Sequence, residues 1–298
     1  MKRRLLKISM AIAVLLVLLI AAEIGLRSIG VGYRALVQTP PARFSPQARV
    51  RLLAIGDSFT FGIGADGPAS YPDQLQRLLD EEFGPGACEV INWGLPAQNS
   101  SEALLALSAA FESGMRPDFV LVAVGINNYW NWHLASAFLP GDEPLSRIHA
   151  ALSGSRLWRL AAVALSGGPM AAGRLYAKND ESDRNSPWFA NIRDTNPPWL
   201  SAWIASDLSG MRDVCLQHDA RPVWINYHAP SPATFAAWSR FADDPDVLLV
   251  DARFDKPDPA LLSADRWHPN AAGYARVAAV IAEALRGEIT ARRAGENR

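Results

Sequence analysis

The chain has 298 residues, enough for one large α/β domain with a substantial core. Its 29 Lys and Arg against 30 Asp and Glu leave a formal charge of −1, which excludes a general polyanion binder and removes nucleic acid as an expected partner. Two cysteines and no His/Cys cluster at zinc spacing argue against a disulfide scaffold or a zinc module, and no metal or cofactor is expected.

Lys2, Arg3, Arg4 and Lys7 precede or interrupt the otherwise apolar stretch Leu5 to Ala22. As a helix this stretch rises about 27 Å, close to the hydrocarbon thickness of a bilayer, and the basic flank holds the N-terminus in the cytoplasm. Ile20-Ala21-Ala22 makes a poor cleavage site and no lipid-accepting cysteine follows, so the segment reads as an uncleaved anchor over 1–28 rather than a signal peptide. The expected location is a bacterial inner membrane, crossed once, with the bulk of the chain on the periplasmic or extracellular side. Residues 29–48, with prolines and glycines but no clear periodicity, read as a linker.

Val50 to Ile55 has the composition of a buried strand and ends in Gly56-Asp57-Ser58. Tyr71, Leu75, Leu78 and Leu79 recur at helical spacing. Glu89 to Trp93 is a second strand, closed by Gly94, and a helix from about Ser101 to Ser113 follows, capped by Asn99 or Ser100. Phe119 to Val124 is wholly apolar, as a strand buried on both faces of a parallel sheet would be. The pattern weakens over about 129–199, which reads as an insertion with some helix around Leu145 to Leu165 and a solvated polar loop, not a calcium site, at Lys178 to Arg184. Its tryptophans (Trp130, Trp132, Trp158, Trp188, Trp199) suit a subsidiary core or stacking on sugar rings. Regular elements return with a helix from about Leu200 to Gln217, strands Pro222 to Tyr227 and Val247 to Val250, and a helix from about Ala271 to Leu285. Residues 290–298 are a polar tail expected to fray. Strands alternating with helices predict βαβ units, hence a three-layer α/β/α fold around a mostly parallel, flavodoxin-like sheet, in addition to the N-terminal transmembrane helix. Cys88 and Cys215, on separate elements, read as small buried side chains.

Ser58 stands where a buried strand surfaces, at the sheet edge where open α/β folds gather their chemistry. A serine hydroxyl needs an imidazole to take its proton, and the imidazole needs an acid to fix its tautomer. Asp265-Arg266-Trp267-His268-Pro269 can supply both, with Pro269 biasing His268 away from helical geometry. Taken singly, Asp57-Ser58 is equally a helix cap and Asp265 to His268 a surface turn. Two blocks at the ends of strands add donors for an oxyanion: Gly94, through its N–H, and Asn127 of Gly125-Ile126-Asn127-Asn128, through its side-chain amide. His228 follows a strand and either lines the same cleft or lies on the surface, and Asn128 is a second residue that could line the site. Gly62-Ile63-Gly64-Ala65-Asp66-Gly67 matches the dinucleotide fingerprint by letter, but residues intervene after the strand and Pro68 and Pro72 interrupt the helix it requires, so the match is coincidental.

Four blocks in this order resemble those of the SGNH hydrolases of the GDSL esterase/lipase superfamily: Gly56-Asp57-Ser58 with Gly62, then Gly94, Gly125-Ile126-Asn127, and Asp265-Arg266-Trp267-His268. The resemblance covers roughly Val50 to Leu285, excepting the insertion, and implies a hydrolase domain over 49–289. It implies that Ser58 is the nucleophile, His268 the base, Asp265 its partner, and the Ser58 and Gly94 N–H groups with Asn127 the oxyanion hole. Asn128 departs from the Asp that often follows the third block's Asn. The expected activity is hydrolysis of an acyl ester, on a carbohydrate or another envelope molecule, through an acyl-enzyme. An O-acyltransferase using the same triad, or a non-catalytic binding module on the same fold, are the alternatives.

Overall fold

The structure, a computed structural model, describes residues 2–37, 43–139, 144–165, 198–254 and 258–295. The polar run at 178–184 and Trp188 lie outside the described residues. Five strands, β1 (Val50–Gly56), β2 (Cys88–Gly94), β3 (Phe119–Ala123), β4 (Arg221–Asn226) and β5 (Leu248–Asp251), form one sheet in the order β2-β1-β3-β4-β5, with every pairing parallel. The chain winds outward one way from β1 to β2 and the other way from β1 through β3 to β5. The reversal opens a crevice at the carboxyl ends of β1 and β3, where Gly56 lies opposite Ala123.

Strand side chains alternate between the faces and so divide the core. Leu53, Ile55, Val120 and Val122 pack beneath helices α4 (Ser100–Glu112) and α7 (Pro198–Gln217). Val50, Leu52, Ala54, Phe119 and Leu121 pack against α3 (Tyr71–Phe83) and α9 (Ala271–Gly295). These are the three expected layers. Cys88 and Cys215 are free, buried thiols.

The first helix, α1 (Lys2–Val37), runs well past Ile29 into the expected linker, because no proline precedes Pro40 to stop it. The last helix likewise continues to Gly295 instead of fraying at Thr290. Ile289 is fully buried there, and Arg292 reaches Asp118 at 2.8 Å. The helix expected around Leu145 to Leu165 is two, α5 (Pro144–Leu152) and α6 (Arg156–Leu165), parted at Ser153-Gly154-Ser155 where the chain turns. Within the insertion Trp132 packs edge-on against Trp199, and both lie against the main core. A helix over Pro232–Ser239, α8, has no counterpart in the sequence reading, although Ser231 caps it and Pro232 opens it as helix-start chemistry prescribes.

Candidate active site

Immediately after β1, the one-turn helix α2 (Ser58–Phe61) begins at Ser58, with the Asp57 side chain accepting the Phe59 N–H at 3.0 Å. The turn at 263–269 approaches from the other end of the chain. Asp265 Oδ1 accepts from Ser263 Oγ (2.7 Å), the Trp267 N–H (2.8 Å) and the His268 N–H (2.9 Å), which leaves Oδ2 aimed at His268 Nδ1 at 2.6 Å. His268 Nε2 in turn lies 2.8 Å from Ser58 Oγ. The imidazole is thus tied at both nitrogens, to a carboxylate and to a hydroxyl, across 210 residues of sequence.

Burial pushes the Asp265 carboxyl up, but its bonds from His268 and Ser263 and the two backbone N–H groups outweigh that and hold it at about 2. Burial also pushes His268 below the ordinary histidine value, with Asp265 pulling the other way. At neutral pH the pair is therefore a carboxylate beside a neutral imidazole, the state in which Nε2 can accept a proton.

Around this line stands an aromatic cluster. Phe59 contacts His268, Tyr227, His228 and Trp267, with ring centroids 4.8 to 5.7 Å apart. His228 is buried between Phe59 and Phe254, not on the surface, and burial followed by the charge of His268 lowers it to about 4. It is a neutral ring packed against Phe59, with centroids 5.5 Å apart.

Asn127 lies on the turn after β3. Its Oδ1 accepts from Trp130 Nε1 (3.0 Å), which fixes the orientation of the amide, and its Nδ2 donates to Gln98 O (3.0 Å). Asn128 does not line the site. It is fully buried, its amide committed to the Ser100 N–H and hydroxyl, so that it ties the turn after β3 to the start of α4. Gly94 also requires correction: its N–H is donated to Asn92 Oδ1 at 2.9 Å and is no exposed oxyanion donor. Steric closeness requires the glycine instead, since an added Cβ would lie 2.1 Å from the Phe61 nitrogen, in the backbone of α2. Gly94→Ala should accordingly displace the turn that carries Ser58. We expect a loss of roughly 1–3 kcal/mol in denaturant unfolding together with loss of activity.

Two features escaped the sequence reading. The turn at Leu95 to Gln98 carries Ala97 at φ +68°, and asparagines hold its carbonyls: Asn131 binds Ala97 O and Asn127 binds Gln98 O. The second is Tyr227. Its hydroxyl donates to the buried Asp57 Oδ2 at 2.6 Å and accepts the Ile126 N–H at 3.4 Å, so one oxygen joins the neighbours of both Ser58 and Asn127. Burial raises Asp57 to about 7, against the opposing pull of Tyr227 and the Phe59 N–H. Tyr227→Phe should therefore cost roughly 1–3 kcal/mol of stability for the orphaned carboxylate oxygen. It should lower kcat more than it raises KM, as steady-state kinetics beside a thermal melt will read. One glycine of the discounted fingerprint serves this site by packing: at Gly64 (φ +96°) a Cβ would meet Pro269 O at 2.6 Å, so the residue lets the segments that carry Ser58 and His268 close.

A parallel three-layer fold with a Ser–His–Asp line at its switch point defines the serine hydrolase class. The model of the GDSL-like lipase/acylhydrolase family matches residues 54–276, and the chain belongs to that family, whose members are serine hydrolases acting on esters. Among solved structures, the psychrotrophic esterase EstA from Pseudoalteromonas sp. is 14% identical, with 80% of this chain and 98% of that one covered at a TM-score of 0.50, a likeness of fold. The family 3 carbohydrate esterase of Clostridium thermocellum is 13% identical over 81% of this chain and 98% of that one, at 0.48. An uncharacterised protein of Mycoplasma pneumoniae is 34% identical over 76 residues, 26% of this chain; the match spans 9% of that protein's length.

Proposed function

We propose that the protein is a membrane-anchored esterase in which Ser58 is the nucleophile, His268 the general base and Asp265 its orienting acid. The observation that carries this reading is the hydrogen-bonded line Asp265–His268–Ser58, at 2.6 and 2.8 Å. As Ser58 Oγ bonds to the ester carbonyl carbon, His268 Nε2 takes its proton. The carbonyl oxygen becomes an oxyanion, received by the Ser58 N–H and by the N–H of Asn127 that Gln98 does not occupy. Collapse expels the alcohol, to which His268 returns the proton. Water, deprotonated by His268, then attacks the acyl carbon, and collapse breaks its bond to Ser58 Oγ, which takes the proton back from His268 as the acid leaves.

The membrane placement is supported by α1, of which every residue from 3 to 22 is exposed although almost all are apolar. The catalytic domain then faces the periplasm, and a carbohydrate or other envelope ester is the substrate this location favours, with the tryptophans of the insertion available for sugar rings. A fluorophosphonate probe tests the chemistry: it should label the wild type and not Ser58→Ala. Equal labelling of both, or labelling of neither, overturns the reading. Acetylated glycans, supplied with and without a sugar acceptor, then test the substrate class and separate release of acid from transfer.

A further inference from the structure

We propose that α5, α6 and the loop at Leu134 form a docking face that rests on the anionic surface of the same bilayer that α1 crosses. The inference depends on α1 being a membrane span, and adds a second contact between the protein and the membrane.

Glu23 is the first residue beyond the apolar stretch of α1. Its carboxylate accepts the Arg156 N–H (3.0 Å), the Leu157 N–H (2.9 Å) and Ser155 Oγ (2.8 Å), and so caps the N-terminus of α6 with a negative charge. Arg27, one turn further along α1, bonds both Glu23 (2.7 Å) and Gly154 O (2.9 Å). The start of α6 is thereby fixed at the depth where α1 leaves the hydrocarbon. A segment held there meets headgroups.

Its side chains suit that surroundings. Leu134, Ile148, Leu152 and Leu160 are 43, 54, 40 and 54% exposed. Outside α1, the other large hydrophobics exposed among the described residues are Leu105 and Leu216, so four of the six lie on α5, α6 and the loop at Leu134. The charge agrees: residues 144–165 contain Arg147, Arg156 and Arg159 and no Asp or Glu. Arg159 is paired with Glu102, whereas Arg147 is exposed. Leucines and isoleucine exposed on short helices, with Arg147 exposed among them, suit an interfacial element that sinks its apolar side to the acyl boundary and turns Arg147 to anionic headgroups.

The test uses the full chain in vesicles of phosphatidylglycerol and phosphatidylcholine, with a fluorophore on Leu160→Cys and a lipid-borne quencher. Val17→Cys within α1 and Leu216→Cys on α7 serve as references, and the wild type, whose two thiols are buried, gives the background. The docking face predicts that Leu160→Cys loses most of its emission, as Val17→Cys does, while Leu216→Cys keeps its own. Emission from Leu160→Cys that survives as at Leu216→Cys, with Val17→Cys quenched, overturns the docking face and leaves the anchor standing. An unquenched Val17→Cys overturns the anchor and the docking face with it.

Discussion

Ser58→Ala should abolish ester turnover, by roughly 10⁶-fold in kcat if it behaves as serine knockouts do in other Ser–His–Asp hydrolases, while leaving the fold in place. The hydroxyl bonds His268 Nε2 and sits at the start of α2, whose cap is made by Asp57 rather than by Ser58. Its removal costs one hydrogen bond and no packing, so thermal unfolding should move by no more than about 1 kcal/mol equivalent. Kinetics with a chromogenic ester beside a melting curve checks both halves. In the wild type, kcat/KM should fall at acid pH as His268 takes up a proton, at a pH below that of an ordinary histidine, since burial depresses it more than Asp265 lifts it. Activity persisting in Ser58→Ala would remove the nucleophile assignment outright.

The sheet was legible because fully buried parallel strands announce themselves: Phe119 to Ala123 is apolar at every position and buried at every position. The meeting of Ser58, His268 and Asp265 was legible for a different reason. Each member stands beside a residue that dictates a local turn, Ser58 after Gly56-Asp57 and His268 before Pro269, so chemistry and backbone punctuation coincide. The family blocks placed these residues in one order, and the fold brings their strand ends to one edge.

What failed to show is what depends on contact across the chain. Gly94 reads as an open donor because a glycine in sequence does not say whether it is needed for conformation or for closeness, and here α2 lies against it. Tyr227 looks like the last residue of an apolar strand; only its 2.6 Å bond to Asp57 reveals it as the link between two segments of the site. His228 gives no hint of burial because the aromatic rings around it, Phe59 and Phe254, come from other elements. The run-on of α9 has the same origin: composition at 290–295 is indifferent to helix, and packing by Ile289 and Arg292 decides it.

Asp265→Asn isolates tautomer control from everything else at the site. The three donors that hold Oδ1, from Ser263, Trp267 and His268, would keep the amide oxygen of the new side chain in that place, which turns its NH₂ toward His268 Nδ1. An imidazole facing a donor at Nδ1 must accept there and carries its proton on Nε2. That proton then points at Ser58 Oγ, and the ring can no longer take one from it. We expect kcat to fall by roughly 10⁴-fold with KM little changed, the size of effect seen when the same exchange is made in other serine hydrolases. Wild-type Asp265, held at about 2, stays ionised throughout the working range and contributes nothing to the acid limb of the profile. Histidine ¹⁵N shifts provide the direct readout, the Nε2–H form replacing the Nδ1–H form in the variant. A variant that keeps near-normal kcat, or whose imidazole retains its proton at Nδ1, would show that Asp265 does not set the state of His268.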